Sequence, residues 1–180
     1  MKENKFDFNT FMADVNEKVH LQDYEQNIDL ALAICMIDFY NYNNYCKANN
    51  VSVDRFGLCY NAFLTILLNR FNLMEINCDE YIQKCNSFLE ELQSEENDYF
   101  DECVNITCEI MHLFAYISTK DDRNISAVVK LCFESAEFFL QRNECTEYDS
   151  HITNVAKCIS ELDVSTLTNI HESIRRFKNI

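Results

Sequence analysis

Residues 97–142 read NDYFDECVNITCEIMHLFAYIS (97–118), TKDDRN (119–124) and ISAVVKLCFESAEFFLQR (125–142). In the first stretch Phe100, Val104, Ile106, Cys108, Ile110, Met111, Phe114 and Ile117 fall on nearly every side of a 3.6-residue period. A helix with no wide polar face is normally a central one. The second stretch places Val128, Val129, Cys132, Phe133, Ala136, Phe139 and Leu140 at three-four spacing. That spacing is helical as well. A short polar link between two apolar helices predicts an antiparallel hairpin. A buried central hairpin is therefore the expected heart of the fold.

The rest of the chain reads outward from that hairpin in the same way. Residues 78–93 form the cleanest amphipathic helix, with Cys78, Tyr81, Ile82, Cys85, Phe88, Leu89 and Leu92 on one face. Asn77 and Glu80 are spaced as a capping box. Residues 53–72 repeat the pattern through Phe56, Tyr60, Phe63, Leu64, Leu67, Leu68 and Phe71. Residues 26–46 are rich in apolar groups, and 5–21 are weakly amphipathic through Phe8, Phe11, Met12, Val15 and Val19. Beyond the hairpin, 149–162 use Ile152, Val155, Ala156, Ile159 and Leu162, and 164–177 use Leu167, Ile170, Ile174 and Phe177. The expectation is an all-α single domain of seven to eight helices over residues 1–180. Residues 1–22 form an N-terminal extension helix and 26–177 the main bundle.

Composition says the same by what it lacks. The 180 residues contain no proline, and Gly57 is the one glycine. Tight hairpins and sheets lean on both residues, whereas helices do best without them. The absence also removes glycine-rich phosphate loops, GxGxxG turns and GxSxG elbows. No catalytic motif is left, so the expectation is a non-enzyme without a cofactor.

Fifteen Lys and Arg stand against thirty Asp and Glu, a net charge of −15. Such a balance argues against nucleic acid or an anionic membrane as partner. It suits a protein that its charge keeps soluble, or one that meets a basic partner. Residues 90–102 concentrate Glu90, Glu91, Glu95, Glu96, Asp98, Asp101 and Glu102, either a solvated face or an acidic docking edge. No apolar run has the length of a membrane span.

Ten cysteines occur without a CxxC pair. Most fall on apolar helix faces, where Cys acts as a small hydrophobe. No secretory signal follows the N-terminal Met-Lys-Glu-Asn-Lys. Reduced thiols in a cytoplasmic setting are expected. Of the sequons at Asn50, Asn105 and Asn124, the second lies inside the most apolar helix and reads as chance.

One constellation points to chemistry. Glu17-Lys18-Val19-His20 and Glu109-Ile110-Met111-His112 are both ExxH steps, whose two side chains share a helix face. Two such steps with two further glutamates build the di-iron site of ferritin-like bundles. Only sixteen residues precede Glu17, too few for the helix that should supply another carboxylate. A metal enzyme using Glu17, His20, Glu109 and His112 is thus the alternative reading. His151 after Glu147 reads as a polar helix start.

Taken in order, the segments from 26 to 177 resemble the small poxvirus Bcl-2-like proteins. Asp29-Leu30-Ala31 to Asn41-Tyr42-Asn43 resembles the aromatic-rich first helix of that family. Asp98 to Ser118 and Asn124 to Arg142 resemble its central pair. Leu162-Asp163-Val164-Ser165 through Ile174-Arg175-Arg176 resembles its short basic last helix. The Asn-Trp-Gly-Arg signature of the cellular branch has no counterpart here. The resemblance implies a viral, non-enzymatic protein that binds a host signalling or pro-apoptotic protein. Its role would be apoptosis inhibition or evasion of innate immunity. In such a fold 53–93 would border the groove, so Phe56, Tyr60, Phe63, Leu67, Tyr81 and Phe88 are the expected partner-binding residues. A homodimer, or an oligomeric assembly subunit, is the third reading.

Overall fold

The computed structural model describes residues 6–49, 57–70, 72–93, 100–142 and 148–162. Among them are seven α-helices and no strand: α1 (Phe8–Leu21), α2 (Tyr24–Asn49), α3 (Gly57–Leu68), α4 (Cys78–Gln93), α5 (Phe100–Thr119), α6 (Arg123–Arg142) and α7 (Tyr148–Ser160). A 3-10 turn, Leu73–Glu75, joins α3 to α4. The segment 164–177, Phe56 and Phe71 lie outside the described residues.

Local chemistry sets the helix ends. Asp7 caps α1 by accepting hydrogen bonds from the Asn9 N–H at 3.0 Å and the Thr10 hydroxyl at 2.7 Å. The Asn77–Glu80 box forms as its spacing implied: the Glu80 N–H donates to Asn77 Oδ1 at 3.3 Å. A second box was not read from the sequence. Asp23 Oδ1 accepts from the Gln26 N–H at 2.8 Å, and Gln26 Oε1 accepts from the Asp23 N–H at 3.1 Å. This moves the start of α2 back to Tyr24. Between α5 and α6, Lys120 turns the chain at φ 57°, and Asp121 accepts from the Arg123 N–H at 3.1 Å. A left-handed residue followed by an Asp cap closes the hairpin in very few residues.

α5 is largely buried, α6 buries one face and leaves the other toward solvent, and α2 packs against both helices of this hairpin. From Asn27 to Asp38 the only exposed residue of α2 is Met36. That stretch is buried on most of its sides, so α2 shares the centre that the sequence assigned to the hairpin alone. α3 and α4 flank α5, while α1 and α7 flank α6. α1 is a member of the bundle and not an appendage: Phe11, Val15 and Val19 are core residues. Lys18 ties it to the end of α7 by donating to the Leu162 carbonyl at 2.8 Å. Phe114 has no exposed surface and stacks on Tyr81 of α4 at 4.7 Å. Cys35, Cys59, Cys78, Cys85 and Cys132 are free, buried thiols. Asn105, the sequon inside α5, is buried and donates to the Ser135 hydroxyl at 3.1 Å. No helix of the described residues is long and apolar enough to cross a membrane.

Candidate binding surface and a buried acid pair

α3 is apolar nearly all round, so its neighbours decide which side is core. Cys59, Ala62, Phe63 and Ile66 point inward and are buried. Tyr60, Leu64, Leu67 and Leu68 follow an i, i+4, i+7, i+8 pattern on the outer side. Of these Tyr60 is 50% exposed, Leu67 38% and Leu68 80%, and Met74 on the following turn is 85% exposed. Phe39 of α2 meets Tyr60 edge-on at 5.8 Å, and the exposed Met36 lies one turn before it. Tyr60, Leu67 and Leu68 thus form an exposed apolar strip along one side of α3, and Met74 follows them in the chain. Single exposed apolar residues need no explanation, but several on one side of a short helix do.

The segment that carries the strip is acidic. From 57 to 93 the carboxylates are Glu75, Asp79, Glu80, Glu90 and Glu91, and the cations are Arg70 and Lys84 alone. Arg70 is engaged with Asp29, its Nη2 donating to Oδ2 at 2.7 Å. Lys84 pairs with Glu80 at 2.6 Å on the same helix. Tyr81 anchors α4 to α3 by a hydroxyl contact with Thr65 at 3.0 Å. Below, the Cys59 thiol lies 3.3 Å from the Thr107 hydroxyl and also meets Cys85. The contact with Cys85, then burial, pushes the Cys59 thiol up, while the same contact lowers Cys85.

The expected partner-binding residues therefore divide. Tyr60 and Leu67 reach the surface. Phe63 does not: it is 4% exposed and meets Phe39 at 5.6 Å. Tyr81 and Phe88 are half-buried against the core, and one ring face of Tyr81 is covered by Phe114. Leu68 and Met74, the most exposed of these apolar residues, were not among the expected ones. An all-apolar helix gives no phase in its own sequence, and Met74 sits in a connection.

The four residues of the metal reading are not brought together. Glu17 and His20 are exposed on α1, and His20 Nδ1 lies 3.6 Å from Asp122. His112 Nδ1 lies 3.0 Å from Asn124 Oδ1, a strut between α5 and the start of α6. Glu109 points into the core. Among the described residues no three His, Cys, Asp or Glu side chains are arranged to hold a metal ion.

Glu109 instead joins a group the sequence did not reveal. It has no exposed surface, and no hydrogen bond of good geometry reaches either carboxyl oxygen. Asp38 and Cys35 of α2 lie beside it. The Cys132 thiol of α6 donates to Asp38 Oδ1 at 3.4 Å. Burial first, then the charge of Asp38, holds the Glu109 carboxyl well above its usual 4.5. Burial likewise pushes up the thiols of Cys35 and Cys132. An isolated buried carboxylate costs far more than a buried carboxylic acid, so this glutamate keeps its proton.

No family model and no curated protein matches this sequence. Among solved structures, the chain is similar to a DUF416 family protein from Shewanella baltica OS155. The TM-score is 0.63 at 12% identity, covering 91% of this chain and 93% of that one. Identity this low shows the shared all-helical fold alone.

Proposed function

We propose that this is a non-enzymatic binding protein whose outer α3 face captures an amphipathic helix of another protein. The observation that carries the reading is the strip of Tyr60, Leu67, Leu68 and Met74, apolar and 38–85% exposed. An amphipathic helix covers such a strip with anchors at i, i+3, i+4 and i+7. The carboxylates of the same segment and the net charge of −15 select a helix with basic flanks, chiefly by steering its approach. The resemblance to poxvirus Bcl-2-like proteins gives the reading its biological form. In that form the protein is a cytoplasmic antagonist, and the captured helix belongs to a host apoptotic or inflammatory-signalling protein.

A photo-crosslinking residue placed at Leu68 or Met74 tests this. Cross-linked peptides from a basic amphipathic segment of a different protein support it. Cross-links found only to α3 of a second copy would replace it with the assembly-subunit reading.

A further inference from the structure

On the α1/α6/α7 side, away from α3, a cavity of about 420 Å³ opens between the start of α1, the middle of α6 and the first turn of α7. We propose that this cavity binds an organic cation, an ammonium nitrogen carried on a short apolar stem. Its volume falls within the ordinary range for small-molecule sites.

Phe6, Phe8 and Phe133 build the apolar wall. Phe6 stacks on Phe133 at 5.2 Å and 20°, and Phe8 meets Phe133 at 5.2 Å and 42°. Phe11, at 5.3 Å behind Phe133, holds that ring in place. Ring faces carry negative quadrupole charge and attract cations, most strongly where water is excluded.

Carboxylates complete the lining. Glu134, Glu137 and Asp149 all reach the cavity. Glu137 is fixed by the Tyr148 hydroxyl, which donates to Oε1 at 2.5 Å. Burial, then that contact, pushes the Tyr148 phenol up to about 12, so it stays a donor and adds no charge of its own. Lys130 lies 3.3 Å from Glu134, but both are solvent-reached, and such pairs neutralise little. The N-terminus of α7 opposes a cation through its dipole, and Asp149 in its first turn offsets that. Phenylalanine rings do not ligate metals, so the wall suits an alkylammonium and not a bare ion. The same chemistry comes from a free alkylamine or from a lysine side chain of a protein.

Calorimetric titration of the full chain with 1-pentylamine and with 1-pentanol at neutral pH tests the charge requirement. Saturable binding of the amine alone is expected. Glu134→Gln with Glu137→Gln should weaken it tenfold or more, while Glu90→Gln with Glu91→Gln on α4 should leave it unchanged. Phe8→Leu should weaken it and Phe8→Tyr retain it, which separates loss of the ring from loss of the fold. Cadaverine and Nα-acetyl-lysine methylamide then distinguish the sources, the tighter one naming the free or the protein-borne cation. Equal binding of pentanol, no saturable binding of any amine, or indifference to the Glu134/Glu137 change would each overturn the proposal.

Discussion

At the scale of single residues, Glu109 carries a clear energetic cost. It occupies a fully buried position and no good hydrogen bond reaches its carboxyl. An unsatisfied buried polar group costs about 1–3 kcal/mol. Glu109→Met, which keeps length and removes the polar atoms, should therefore stabilise the protein by about 1–3 kcal/mol in urea melts at pH 7. A loss of that size would show that the carboxyl is satisfied. The pH dependence follows from the same burial. The folded state holds the Glu109 proton more tightly than the unfolded state, so more protons are bound in the fold. Stability from this group is complete below about pH 4.5, the ordinary glutamate value, and falls as pH rises toward the elevated folded value. Subtracting the Glu109→Met profile from that of the natural protein should leave this falling slope; a flat difference would refute it. Asp38 and Glu109 are both visible in the sequence as charges within apolar stretches of their helices. That they meet across α2 and α5 is a fact of packing, which spacing along one helix does not encode.

At the scale of elements, periodicity located each described helix, and most boundaries shifted by only a few residues. α4 is the clearest case, because its one apolar face and its Asn77 cap both show in the chain. The middle of α5 also follows from the sequence. Phe114 is fully buried there, and Phe114→Ala should cost about 3–5 kcal/mol by urea denaturation. A change of a few tenths would place α5 at a surface. α3 shows where periodicity stops. Its residues are apolar on both sides, so Phe63 inside and Leu68 outside look alike before α2, α4 and α5 are in place. Leu68→Asp and Met74→Asp lie on solvent-facing positions and should change stability by no more than about 0.5 kcal/mol. Larger losses in thermal melts would mean that the strip is covered within this chain.

At the scale of the whole molecule, the absence of proline and the single glycine determined the class of fold. They could not determine the arrangement, in which α2 lies across the hairpin and α1 packs into the core. Long-range packing of this kind depends on which faces complement one another, and several helices here have more than one apolar face. The candidate surface was half legible for that reason. The central claim is that the exposed strip on α3, in an acidic segment of the chain, is a docking site for a basic amphipathic helix. The most direct test is a fluorescence titration of the full chain against two model peptides. Both are 18-residue amphipathic helices with the same apolar face, one with lysine flanks and one with glutamate flanks. The lysine peptide should bind saturably and lose affinity as salt is raised, and Leu68→Asp should weaken it at least tenfold without altering helicity. Equal binding of the two peptides, or a lysine peptide indifferent to Leu68→Asp and Met74→Asp, would contradict the claim.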